Sequence, residues 1–121
     1  MLKLLIVADI RGQHEKLATA LQRFRTGGYD GIVQLGGLCN SLVKSNEDIL
    51  TTVKMAMDAK RELKFRYIQL LGDAEYQYLN PKQFQTPHFR PDLSKTLTPY
   101  LQEHKDNFHV AFQVQHYLFT H

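Results

Sequence analysis

Apolar and polar positions alternate between two periods along the first part of the chain. Leu2 to Val7 reads as a strand, and its apolar run from Leu4 ends in Ala8-Asp9. In an α/β fold such a run is a buried parallel strand, and Asp9 then stands at its carboxyl end, where ligands bind. From Gln13 or His14 the spacing changes: Leu17, Leu21 and Phe24 recur at i, i+4 and i+7, the stripe of an amphipathic helix. Gly27-Gly28 stops it. Gly31 to Leu35 is a second short strand, ended by Gly36-Gly37. A polar loop runs to Ser45, which with Asp48 three residues on has the spacing of a capping box. Ile49, Val53 and Met57, flanked by Leu50 and Ala56, then mark a second helix. Phe65, Tyr67, Ile68, Leu70 and Leu71 give a third strand, closed by Gly72-Asp73.

This β-α-β-α-β order with short connections predicts an α/β domain with a parallel sheet, flanking helices and right-handed crossovers. Its three strand-end loops, Asp9 to Gln13, Gly36 to Ser41 and Gly72 to Tyr78, fall on one edge of the sheet and converge. Beyond them the pattern weakens. Pro81, Pro87 and Pro91 predict an irregular loop from Glu75 to about Asp92. Thr98-Pro99 predicts the cap and start of a short helix carrying Tyr100, Leu101 and His104. Phe108 to Phe112 and Tyr117 to Phe119 read as two strands joined by a tight connection near Gln113 to Gln115.

Composition narrows the partners. With 121 residues, 43% hydrophobic and 22% charged, the chain supports one domain and one core, residues 1–121. No apolar run approaches the roughly 20 residues of a membrane span. The lone Cys39 forms no internal disulfide and fits a reducing, cytoplasmic compartment. The net charge of +3 is scattered; Arg61, Lys64 and Arg66 are the nearest approach to a cluster and read as solvated charges around a helix end, so no nucleic-acid partner is expected. His14, His88, His104, His109 and His116 show no metal-ligand spacing and read as surface or loop histidines, and Cys39 reads as packing.

Four stretches carry a resemblance. Leu4 to Gln13, with Asp9-Ile10-Arg11-Gly12 at its turn, is similar to the first motif of the calcineurin-like metallophosphoesterases, which usually reads Gly-Asp-Ile-His-Gly. Gly36-Gly37 to Asn40 occupies the place of their Gly-Asp-x-x-Asp. Leu71-Gly72-Asp73-Ala74-Glu75-Tyr76-Gln77-Tyr78-Leu79 resembles the Gly-Asn-His-Asp-Tyr-x-Tyr-Leu version of small bacterial and phage members. Asn107 to Phe112 followed by Tyr117 to His121 resembles the strand pair that precedes their Thr-His-Ala-Gly. The resemblance spans the chain and implies a partial two-sheet α/β sandwich, this chain supplying one sheet and the start of the second. It also implies a truncated C-terminal part and an unpaired strand edge that invites a homodimer.

What the resemblance implies chemically is a pair of metal ions about 4 Å apart activating a water for attack on phosphorus. The ligands themselves are mostly exchanged. Asp9 is kept, but Arg11 replaces the histidine two residues on. The bridging aspartate falls at Gly37, and the next aspartate at Asn40. Asp73 stands for the metal-binding asparagine, Ala74 for the histidine that assists the leaving group, and Glu75 keeps a carboxylate. His121 matches the terminal histidine. Asp9, Asp73 and His121 are therefore the residual metal candidates, enough for one ion at most, with the permanent charge of Arg11 opposing it.

Plainer roles stay open at this point. Asp9 caps loop N–H groups or pairs with Arg11; Asp73 is a turn carboxylate, a residual ligand or a second partner of Arg11; His121 frays unless its strand is docked. The expectation is a degenerate, catalytically silent phosphoesterase relative that binds a protein or a phosphorylated ligand, with Arg11 as the ligand-binding residue and no resident cofactor. The alternative is a weakly active phosphoesterase or phosphatase hydrolysing phosphomonoesters with Mn, Fe or Zn.

Overall fold

The computed structural model describes all 121 residues, Met1–His121. Its centre is a four-stranded, wholly parallel sheet in the order β1-β2-β3-β4, formed by β1 (Leu4–Val7), β2 (Gly31–Gln34), β3 (Tyr67–Leu70) and β4 (Phe108–His109). Leu4 stands opposite Gly31, Ile32 opposite Tyr67, and Leu70 opposite His109. The connections are α1 (His14–Thr26) between β1 and β2, α2 (Asn46–Leu63) between β2 and β3, and α3 (Asp73–Leu79) with α4 (Pro91–Glu103) between β3 and β4. A separate antiparallel hairpin, β5 (Ala111–Val114) and β6 (Tyr117–Thr120), ends the chain. The protein is thus a mixed α/β domain, a parallel sheet flanked by helices with a small antiparallel sheet beside it.

Period-2 alternation sorts the strands into two faces. Leu5, Val7, Ile32 and Tyr67 face the helices and join Leu17, Leu21, Phe24, Ile49, Val53 and Leu97 in the main core. Val33, Ile68 and Leu70 face the other way, where Phe112 and Phe119 of the hairpin cover them. α2 starts as its sequence predicts: Ser45 Oγ accepts the Asp48 amide at 3.0 Å. Asp48 does not reciprocate; its carboxylate lies 3.4 Å from His14 Nε2.

Four features depart from the sequence reading. The first strand is an edge strand rather than a buried one, with Ile6 exposed, because β2 and not β1 takes the central place. The stretch from Glu75 is helical through Leu79, since Ala74 and Tyr78, four residues apart, are drawn into the core. α4 begins at Pro91 and carries Pro99 in its interior. Leu93, Leu97 and Leu101 at i, i+4 and i+8 are all buried, and that stripe outweighs the one amide Pro99 lacks. Finally, Phe108 to Phe112 divides at Val110: Phe108–His109 completes the parallel sheet, and the hairpin begins at Ala111.

Candidate functional site

The three loops after β1, β2 and β3 do meet at one edge of the sheet, and glycines let them. A Cβ on Gly37 would stand 3.2 Å from Asp9 Oδ1 and 3.4 Å from Asn40 Oδ1. One on Gly72 would stand 3.1 Å from both the Gly37 nitrogen and His121 Cε1, and one on Gly36 would meet His121 Nδ1 at 2.6 Å. Main-chain bonds stitch the first two loops: the Arg11 amide donates to Gly37 O at 2.8 Å and the Gly12 amide to Leu38 O at 2.7 Å.

Glu75 fastens the third loop to the second from inside. Its side chain is wholly buried, and its carboxylate accepts the amides of Gly37 (2.9 Å), Leu38 (3.1 Å) and Cys39 (3.4 Å), with Cys39 Sγ donating at 3.1 Å. Burial pushes its pKa above the ordinary carboxylate range against the opposing pull of these donors. Burial, then the adjacent Glu75, also holds the Cys39 thiol well above its usual pKa, so Cys39 is an inert, packed thiol. Beneath the loop, Gln34 accepts the Gly36 amide at 2.7 Å and donates back to its carbonyl at 2.9 Å. Gln69 donates to Gln34 and accepts the Tyr67 hydroxyl at 2.7 Å, all three residues being buried.

On one flank of the glycines lies Asp9 with Arg11. Both hold left-handed backbone angles, φ 55° and 52°, uncommon for residues with a Cβ and found where local structure is over-determined. Their charged groups approach only to 4.0 Å, between exposed side chains. The Arg11 guanidinium makes no hydrogen bond, and it lines a cleft of about 380 Å³ with Gln13, Asn40, Ser41 and His88. α1 opens beside it with no side chain capping its first turn. Arg90 braces the far wall, donating to the carbonyls of Ser41 (2.7 Å) and Lys44 (2.7 Å) and to Asn46 Oδ1 (3.0 Å). Asn40 Oδ1 is buried and unpartnered.

On the other flank His121 is docked, not frayed. Its Nδ1 lies 2.9 Å from the Leu35 carbonyl and its Nε2 3.1 Å from Asp73 Oδ1. Both partners are acceptors, so the ring satisfies them only by donating twice, as imidazolium. Partial burial opposes that charge, but the Leu35 carbonyl and the Asp73 carboxylate outweigh it and raise the His121 pKa above its ordinary value. Asp73 Oδ1 also accepts the Ala74 amide at 2.8 Å. Asp73 therefore pairs with His121 rather than with Arg11.

The donor set does not fit the two metal ions that the resemblance implies. No group of three His, Cys, Asp or Glu side chains is gathered anywhere in the molecule. Asp9 lies beside a guanidinium, both nitrogens of His121 are engaged by Leu35 O and Asp73 Oδ1, and Glu75 is turned inward onto main-chain amides. Where a side chain from residue 37 would join Asp9, there is a hydrogen atom. Sequence reading brought Asp9, Arg11, Asp73 and His121 to the right edge of the sheet. It missed Arg90, because the prolines around it masked α4, and it missed Gln34 and Gln69, whose polarity inside apolar runs was their only signal; His88, read as a surface or loop histidine, is an exposed turn residue that lines the Arg11 cleft. Compared with known family models, curated proteins and solved structures, the chain matches none.

Proposed function

We propose that this domain is a metallophosphoesterase-like fold whose strand-end site binds a phosphate-bearing ligand without hydrolysing it, through Arg11. One observation carries the reading: Arg11 presents a guanidinium with no hydrogen-bond partner to a cleft at the carboxyl edge of a parallel sheet, on a backbone held left-handed. A planar fork of donors matches phosphate bidentately, and each charge-assisted bond is worth about 1.5–3 kcal/mol. His88 and Gln13 line the same cleft and supply further donors.

The same geometry argues for binding in place of turnover. Hydrolysis by paired metals needs a bridging carboxylate and neutral imidazoles. Gly37 supplies no side chain, Ala74 supplies no proton donor, and both ring nitrogens of His121 are engaged by the Leu35 carbonyl and the Asp73 carboxylate. The order of strands and helices, and the glycines that let three loops converge, support the family part of the reading.

The test is calorimetric titration of the metal-stripped protein with inorganic phosphate, together with assay of 4-nitrophenyl phosphate hydrolysis in added Mn. The expected result is saturable phosphate binding that Arg11→Ala weakens at least about tenfold, with no hydrolysis. Metal-dependent hydrolysis would overturn the silent reading, and equal binding by parent and Arg11→Ala would remove Arg11 as the anchor.

A further inference from the structure

The Arg11 cleft has an apolar rim that a phosphate ion leaves unused. Besides its polar lining, the cleft of about 380 Å³ is bounded by Leu42 and Val43, so the guanidinium and both aliphatic side chains belong to one depression. Leu42 is 76% exposed and Val43 89%. They stand on a braced turn: Ser41 Oγ accepts the amides of Val43 (3.3 Å) and Lys44 (2.9 Å), while Arg90 holds the carbonyls of Ser41 and Lys44. The fold thus presents two adjacent aliphatic side chains to water on a fixed support, in the same cleft as an unpaired cation.

Resting on the anion-binding reading above, we infer that the ligand is the terminal phosphate of an anionic phospholipid in a membrane surface, held by Arg11 while Leu42 and Val43 insert among the lipids beside it. The shape of the rim favours a lipid surface over a polypeptide. Leu42 and Val43 project from a turn, and the other lining residues, Arg11, Gln13, Asn40, Ser41 and His88, are polar, so no apolar wall completes a seat for a peptide side chain. A projecting apolar tip needs a medium that opens around it, as a fluid acyl layer does. Inserted apolar area and headgroup attraction then add, as they do in proteins that lie on a bilayer without crossing it. No helix here is long and apolar enough to cross. The net charge of +3 adds a general attraction to an anionic leaflet, which Asp9, 4.0 Å from the guanidinium, offsets in part.

Co-sedimentation of the full chain with phosphatidylcholine vesicles, with and without phosphatidic acid, tests this. The expected result is binding only where phosphatidic acid is present, weakened at least about tenfold by Leu42→Ser combined with Val43→Ser, and likewise by Arg11→Ala. Phe65→Ser removes a comparably exposed apolar residue (84%) just before β3, at the opposite edge of the sheet, and leaves binding unchanged. The chain has no tryptophan, so Val43→Trp reports insertion directly, whether or not the serine variant folds. Its emission shifts to the blue on phosphatidic acid vesicles and is quenched by brominated acyl chains. Equal loss in Phe65→Ser, or unquenched Val43→Trp emission on bound vesicles, would overturn the inference. So would equal binding when phosphatidylserine, whose phosphate is not terminal, replaces phosphatidic acid. A phosphoserine peptide whose binding the serine variant weakens as strongly would identify a polypeptide occupant instead. Where inorganic phosphate binds and vesicles do not, only the membrane inference falls; where neither binds, the anion-binding function falls with it.

Discussion

Arg11 is strained where it stands, and that strain is measurable separately from its charge. A left-handed φ costs a residue with a Cβ roughly 1–2 kcal/mol, and Arg11 sits at φ 52°. Arg11→Gly relieves it. Against this stand the greater freedom of glycine in the unfolded chain, about 0.5–1 kcal/mol, and the loss of an exposed 4.0 Å pairing with Asp9 worth at most a few tenths. The net expectation is a gain of about 0.5 kcal/mol, near 2 °C in Tm for a chain of this size. Arg11→Ala keeps the left-handed backbone and its cost, so it lowers stability slightly or not at all. Both variants lose the guanidinium, so both lose phosphate binding alike. Scanning calorimetry and phosphate titration of the three proteins separate the effects. If Arg11→Gly melts below Arg11→Ala, the strain argument fails; if the two differ in phosphate affinity, the backbone conformation and not the guanidinium sets the anchor.

The His121 clamp makes stability fall as pH rises above the ordinary histidine value. Its pKa is raised on folding, so its contribution is complete below the unfolded value of roughly 6.5 and is lost as pH rises through the folded value. Tm measured across that interval declines for the parent and more gently for His121→Ala. Glu75 acts in a lower window: its raised pKa makes stability decline as pH climbs from roughly 4.3 through its folded value. Glu75→Gln removes that slope and costs about 1–2 kcal/mol, because the amide NH₂ confronts main-chain donors; urea unfolding against pH reads both. Arg90→Ala frees the carbonyls of Ser41 and Lys44. It accelerates amide exchange in residues 40–45 and weakens phosphate binding, while exchange in the α1 core is unchanged.

The central βαβαβ pattern was legible because burial repeats there at regular periods: Leu17, Leu21 and Phe24 on one helix, Ile49, Val53 and Met57 on the next. The edge position of β1 was not, since an apolar tetrapeptide reads alike at the centre or the rim of a sheet. α4 shows a different limit. Leu93, Leu97 and Leu101 carry a clean helical stripe, but prolines at 91 and 99 obscured it; a buried stripe is a tertiary energy that local backbone preference does not contain. At the site, chain order placed Asp9, Gly37 and Asp73 on one edge. What each side chain does there, Asp73 taking His121 and Glu75 turning inward, depends on contacts 36 to 86 residues apart in sequence.

The buried amides of Gln34 and Gln69 have a consequence for how the sheet assembles. They stand opposite one another in the β2–β3 register and share their bonds with Tyr67 and with the Gly36 backbone. Slide β3 by one residue and Gln69 turns toward Val33 and Phe112, its amide stranded among hydrocarbon. An unmet amide there costs a few kcal/mol, comparable to a sizeable share of the stability of a small domain. A ladder of valines and isoleucines would tolerate several pairings; two glutamines make the misaligned ones unaffordable, and so the strands find a single alignment.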